Sequence, residues 1–358
     1  MNAVCRSSSP STPGWRRSGC RLLLALAAWA SCSVAAGVEP ERARLLSLAG
    51  SVLKVEAIKG QGGYSLGTGV AIAPGKFVTN CHVTRDAEKI LLVRGGARWP
   101  ATAELADPFL DLCVLDVPDL REVPPIPLSS ARNLKLGQAV AAMGFTGGTG
   151  LQLHAGLVSG LHDLNGSMVI QTTTAFTSGA SGGALFDEDG HLVGILTFRL
   201  RGADGYYFSA PIDWIAARIG DQTGYLKVAP IEGAKAFWAQ PIESLPWFMQ
   251  AASLEADGKW DELLKLTEKW SGVEERNAEP WFLRGNSYAK LDRVEGAVKA
   301  YRKAVALNPG FGQAWFNLGT AYARLGAPDE VQRVLTVLRG IDSDLADELS
   351  VKSTAARR

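Results

Sequence analysis

Residues 177–185 read Thr177-Ser178-Gly179-Ala180-Ser181-Gly182-Gly183-Ala184-Leu185, a serine held among glycines with an apolar run directly behind it. A serine hydroxyl is a poor nucleophile at neutral pH unless a neutral imidazole takes its proton during attack. A carboxylate that fixes the tautomer of that imidazole, and stabilises it once charged, completes the set. Both partners stand upstream. Gly67-Thr68-Gly69-Val70-Ala71-Ile72 leads through Phe77-Val78-Thr79-Asn80-Cys81 to His82, and Asp107-Pro108-Phe109-Leu110 leads to Asp111 ahead of Leu112-Cys113-Val114-Leu115. Glycine two positions before the serine permits a turn in which the N–H groups of Gly179 and Ser181 converge on a developing oxyanion. Each segment alone is weak, since a glycine-rich turn with a serine is usually only a turn. Their order, spacing and flanks together carry the reading.

Around these segments the chain has one texture from Val52 to Phe208. Short β-branched and apolar runs such as Val52–Ile58, Ile90–Val93, Ala139–Met143 and Leu192–Thr197 are separated by Pro74-Gly75, Gly95-Gly96, Asn165-Gly166 and Asp189-Gly190. Many short strands with this punctuation predict an all-β barrel or sandwich, and Asp189-Gly190 between Phe186 and Leu192 predicts a hairpin. Ile212, Ile215, Ala216 and Ile219 then recur at helical spacing. Residues 221–243 read as a linker, and from residue 244 the pattern is helical.

Taken together, the three segments resemble the trypsin-like, chymotrypsin-fold serine peptidases, particularly the bacterial Deg-type (high-temperature-requirement) branch. The resemblance runs from about Gly67 to Pro211 and includes Gly156-Leu157-Val158-Ser159. It implies two six-stranded barrels with the active site in the cleft between them. It also implies His82 as general base, Asp111 as its orienter and Ser181 as nucleophile, with Gly179 and Ser181 forming the oxyanion hole. Ala180 departs from the usual Asn or Asp before the serine, which argues against activation through a freed N-terminus. Ala175 stands where trypsin has the aspartate of its specificity pocket, so cleavage after Lys or Arg is not expected. A preference for small or medium apolar residues is expected instead, with Phe176, Thr197 and Tyr206 or Tyr207 as further pocket residues. In the resembled fold the backbones at Cys81 and Cys113 are neighbours, which implies a disulfide between them; two buried free thiols are the other reading. That branch usually carries a PDZ domain after the peptidase, and here helices follow, so PDZ regulation is not carried over.

The helical tail repeats itself. Trp247, Trp281 and Trp315 recur at an interval of 34 residues, and Gly285, Tyr288, Ala289 and Leu291 match Gly319, Tyr322, Ala323 and Leu325 at the same offset. Within one helix, Trp281, Gly285, Tyr288 and Ala289 share a face, where small residues admit a second helix closely. Ala297, Tyr301, Ala304 and Pro309 complete a unit that resembles tetratricopeptide repeats. The chain is therefore read as multidomain: residues 44–220 an all-β two-barrel peptidase domain, 221–243 a linker, and 244–350 an all-α repeat domain whose groove takes a protein partner.

Composition limits the alternatives. Apolar residues make up 47% and charged residues 20% of the 358, an ordinary globular balance with a formal net charge of +1. No basic field points to nucleic acid. Residues 1–36 read as a signal peptide: Arg16, Arg17 and Arg21 precede the apolar run Leu22 to Ala30, and Val34-Ala35-Ala36 offers small residues for cleavage. The run is too short to span a bilayer, so export to the periplasm or beyond is expected, with no stable membrane span in the mature chain. Lipoprotein anchoring through Cys32 is a lesser alternative, since Trp29 fits a lipobox poorly. His154, His162 and His191 form no ligand pattern, so no metal and no cofactor are expected. The leading function is a serine endopeptidase acting on protein or peptide substrates. A catalytically silent protease-fold scaffold acting through its repeats is the alternative.

Overall fold

The computed structural model describes residues 43–147, 150–200, 206–220 and 222–355. The signal-peptide reading of residues 1–36, with Cys32, lies outside them. The first β unit comprises β1 (Val52–Lys59), β2 (Tyr64–Ala73), β3 (Lys76–Thr79), the one-turn helix α1 (Cys81–Thr84), β4 (Ala87–Arg94), β5 (Ala97–Pro100), β6 (Ala103–Asp107) and β7 (Leu112–Asp116). They form an antiparallel sheet in the order β14-β6-β7-β3-β2-β1-β4-β5, where β14 is the pair Leu226–Lys227. Leu53, Val55 and Ala57 alternate onto one face of β1, as the two-residue period of a strand requires. They pack there with Phe77, Ile90, Leu92 and Leu115.

The second unit is a closed six-stranded barrel, ordered β10-β13-β12-β11-β8-β9. Its strands are β8 (Ala139–Thr146), β9 (Gly150–Leu164), β10 (Ser167–Thr172), β11 (Ala184–Phe186), β12 (Leu192–Arg199) and β13 (Tyr207–Pro211). Val140, Ala142, Val158, Ile170, Leu185 and Leu196 fill it. Asn165-Gly166 makes the two-residue turn between β9 and β10, both residues at positive φ (48° and 78°), the geometry in which turn twist matches strand twist. The Asp189-Gly190 hairpin also forms, but over a longer loop in which Asp187 Oδ1 accepts the N–H groups of Asp189 and His191. Only this second unit closes as the resemblance implies. The first is a half-barrel sheet of eight strands whose β6 edge takes in β14 from beyond the second unit, Leu226 opposite Glu104.

After the one-turn helix α2 (Asp213–Ala216) and β14, residues 231–237, within the 221–243 stretch that the sequence reads as a linker, are pinned along their path. Ile231 N–H donates to the Arg85 carbonyl (2.7 Å), Arg85 Nη2 to the Ala234 carbonyl (2.8 Å) and Phe237 N–H to the Phe109 carbonyl (2.8 Å). The cause is apolar: Phe237 is buried, its ring against Phe198 and Trp214, in one cluster with Phe208 of the barrel and Phe248 and Trp270 of the helices. Then come α3 (Trp247–Ala256), α4 (Trp260–Val273), α5 (Glu279–Lys290), α6 (Val294–Leu307), α7 (Gly312–Arg324), α8 (Pro328–Arg339) and α9 (Ser343–Ala355). Close approach explains the repeated glycine: a Cβ on Gly285 would lie 2.4 Å from the Tyr301 ring of α6. Between the helices lies a hollow of about 310 Å³ lined by Asn286, Lys290, Tyr301, Asn317 and Arg324 among others.

Candidate active site

Strand β3 hands the chain to α1, whose second residue is His82. Thr79 pairs with Cys113 of β7, and Cys81 and Cys113 are joined as a disulfide with their Cα atoms 5.0 Å apart. Asp111 sits just before β7 in the left-handed region, at φ 57°, a conformation that a non-glycine residue holds only when its surroundings impose it. They do so here: its carbonyl accepts Asn80 Nδ2 (2.9 Å) and the Cys81 amide (3.4 Å). The carboxylate is thereby turned under the histidine. Oδ1 accepts the His82 backbone N–H at 2.8 Å and Oδ2 accepts from His82 Nδ1 at 2.7 Å. The Asp111 side chain is 1% exposed and that of His82 31%. With Nδ1 donating to the carboxylate, Nε2 carries the lone pair of a base.

Ser181 lies on the 177–183 loop of the barrel, which β2 of the other unit clamps in place. The Thr68 amide donates to the Ser181 carbonyl (2.8 Å), the Thr68 hydroxyl donates to the Gly179 carbonyl (2.8 Å), and the Phe145 amide donates to that hydroxyl (3.0 Å). Gly182 has φ +85°, and a Cβ there would fall 2.1 Å from the Thr68 carbonyl oxygen. A Cβ on Gly67 would likewise meet Val83, the neighbour of His82, at 2.6 Å and the Ser181 carbonyl at 3.1 Å. Ser181 is thus seated beside the segment that carries His82. Among the described residues no hydrogen bond joins its hydroxyl to the His82 ring, and no carbonyl accepts the N–H of Gly179 or Ser181. The flanking amides are committed: Ala180 N–H to Thr177, Gly182 N–H to Leu196 and Gly183 N–H to Ala180.

Of the residues expected to line a specificity pocket, Phe176 and Tyr207 pack together, while Thr197 and Tyr206 are engaged elsewhere. Ala175 is exposed on the same loop. Phe176 is 5% exposed and packs on Tyr207 inside the barrel, ring centroids 5.3 Å apart. The Thr197 hydroxyl is spent within the core, donating to the Ile195 carbonyl (2.7 Å) and accepting from Asn80 Nδ2 (3.3 Å) and the Ala210 amide (3.2 Å). The Tyr206 hydroxyl donates to Glu255 of α3 at 3.0 Å and so faces the helices.

Two features escaped the sequence reading. The indole N–H of Trp238 donates to Asp111 Oδ2 at 2.9 Å, and its ring stands edge-on to His82, 5.4 Å between centroids. An aromatic pair, Phe237-Trp238, inside an assumed linker was the available signal. His162, read as unpartnered, bridges barrel and helices: Nδ1 lies 2.6 Å from Glu279 Oε1 and Nε2 3.0 Å from Gln171 Oε1, with Phe248 stacked on the ring at 4.3 Å. Burial disfavours its charged form, but the Glu279 carboxylate outweighs that and holds the group above its ordinary value. Among the described residues no three His, Cys, Asp or Glu side chains gather as metal ligands, and no helix is long and apolar enough to cross a membrane.

Residues 67–195 match the family model of the trypsin-like peptidase domain, and residues 285–326 match a TPR repeat. A probable periplasmic serine endoprotease, DegP-like, from Halomonas elongata is 36% identical over 167 residues, 44% of this chain and 35% of that protein. Serine endoprotease DegS of Salmonella typhimurium is 28% identical over 207 residues, 51% of this chain and 58% of that protein. The chain thus spans about a third to three-fifths of the length of these relatives. Among solved structures, the HtrA-type protease AlgW with tripeptide superposes at a TM-score of 0.45 with 31% identity, covering 49% of this chain and 61% of that one. The chain carries a trypsin-like peptidase domain, similar in sequence to that of DegP-like proteins, followed by a TPR repeat match.

Proposed function

We propose that this protein is a serine endopeptidase in which Ser181, His82 and Asp111 form one proton-transfer line. The observation that carries the reading is the buried Asp111 carboxylate gripping both the backbone and Nδ1 of His82, next to a serine loop locked across the two β units by Thr68. Ser181 Oγ attacks the scissile carbonyl carbon as its proton passes to His82 Nε2. The oxyanion is met by the uncommitted amides of Gly179 and Ser181, each donor worth about 10²- to 10³-fold in rate. Collapse breaks the C–N bond, His82 returns the proton to the leaving amine, and an acyl-serine remains. Water, deprotonated by the same imidazole, then hydrolyses the ester.

With alanine at position 175 and no carboxylate in its place, apolar residues of small or medium size are the expected residues before the cut. The helical groove recruits protein partners or substrates, its Lys290 and Arg324 facing a hollow that also presents Asn286 and Asn317. The DegP-like relative is named a periplasmic protein, and the basic-then-apolar residues 16–30 of this chain support the same compartment. The test compares the full chain with Ser181→Ala. The parent should label with a fluorophosphonate probe and cut casein, and the variant should do neither. Equal cleavage by both, or by neither, would refute the enzyme reading.

A further inference from the structure

We infer that Trp238 is a positioning residue for the catalytic carboxylate, so that the active site is completed by a segment lying after the peptidase barrel. The inference rests on the peptidase reading above and adds a residue to it. Asp111 Oδ2 has two donors, His82 Nδ1 at 2.7 Å and Trp238 Nε1 at 2.9 Å, while Oδ1 serves the His82 amide at 2.8 Å. The indole therefore closes the carboxylate's hydrogen-bond set. It fixes the plane of the group that fixes the imidazole, and it takes up part of the charge on Oδ2. Thr197 cannot serve in this way, because its hydroxyl is bound to Ile195, Asn80 and Ala210.

Trp238 is itself held from both sides. Its ring stacks on Phe198 of β12 (5.3 Å, 16° between planes) and meets the edge of His82. The preceding residue, Phe237, donates its amide to Phe109, two positions before Asp111, and buries its ring among Phe198, Phe248 and Trp270. The indole thus arrives at Asp111 on a backbone anchored to the Asp111 loop at one side and to the helical region at the other.

Trp238→Phe keeps an aromatic ring against Phe198 and removes only the N–H. In the active chain, kcat should fall about 10- to 100-fold, the loss expected for one hydrogen bond to a charged group, with KM changed less than about twofold. A carboxylate relieved of that donor keeps more negative charge beside the imidazolium and stabilises it, so in the variant the His82 titration should move to higher pH. That shift is read by NMR in the Ser181→Ala background, where no activity is needed. A moved titration in a chain whose parent cuts nothing would leave the positioning role standing and end the peptidase reading. Unchanged kcat with an unmoved titration would overturn the inference. So would a loss of kcat without a titration shift, which marks ring packing alone, or a gain in kcat/KM, which marks a barrier to substrate. If W238F does not fold, the indole N–H resonance of Trp238 in the parent supplies the reading. It should follow the His82 titration and cease to follow it in Asp111→Asn.

Discussion

Removing the disulfide tests how far the active site depends on a covalent tie. Cys81 and Cys113 are 32 residues apart in sequence; Cys81 directly precedes His82 and Cys113 follows Asp111 by two positions. In the chain-entropy model, closing a loop of that length removes about 3–4 kcal/mol of freedom from the unfolded chain. For a unit of 150–250 residues each kcal/mol moves the melting temperature by about 2–4 °C, so Cys81→Ala with Cys113→Ala should melt about 6–16 °C lower. Alanine suits both positions because each cysteine is 0% exposed and a serine hydroxyl there would be buried. Calorimetry with and without reductant gives the control. The parent should fall toward the variant when reduced, and the variant should be indifferent to reductant. Thiol titration of the denatured, unreduced parent completes the assay. Two titratable thiols from Cys81 and Cys113, or equal melting of the double variant and the unreduced parent, would refute the reasoning.

Glu104, 5% exposed, has its carboxyl pushed up to about 7 by burial, against the opposing hydrogen bond from Thr84 Oγ1 at 2.6 Å. The folded chain therefore holds a proton that the unfolded chain releases near 4.5. Its stabilising contribution is complete below that value and is lost as pH rises through about 7, at most about 3 kcal/mol in all. Glu104→Gln should flatten this loss, so urea midpoints at pH 5 and pH 8 should converge relative to the parent; parallel pH dependence would contradict it. Gly182→Ala forces a Cβ to 2.1 Å from the Thr68 carbonyl oxygen and 2.3 Å from Thr79 Oγ1 at φ +85°. Probe labelling of Ser181 should slow at least about 100-fold, because displaced oxyanion donors cost on that scale, and parent-like labelling kinetics would argue against the seat described for the loop.

The parts of this molecule legible in sequence are those whose physics is local or strictly ordered. The alternation through Leu53, Val55 and Ala57, the glycines at 179 and 182, and the helical face of Trp281, Gly285 and Tyr288 each state their geometry within a few residues. His82 and Asp111 were legible because their flanks, strand then turn, fix where the side chains emerge. Contacts made across long separations left no such trace. The two-residue strand Leu226–Lys227 is too short to show a period, so the extension of the first sheet was invisible. Tyr206 is expected at the specificity pocket, yet its hydroxyl donates to Glu255 of α3, 49 residues further along the chain. His162 and Glu279, separated by 117 residues, form their pair only once barrel and helices have packed.

That packing bears on how a captured chain would be cut. Phe198 and Phe208 of the barrel, Phe237 of the connecting segment, and Phe248 and Trp270 of the helices belong to a single apolar cluster. An adaptor on a loose tether only raises the local concentration of its cargo. A seat built on a shared apolar cluster restrains the first helices against the barrel, so under the proposed peptidase reading the length of free polypeptide between a gripped stretch and the scissile bond would act as a ruler for fragment size.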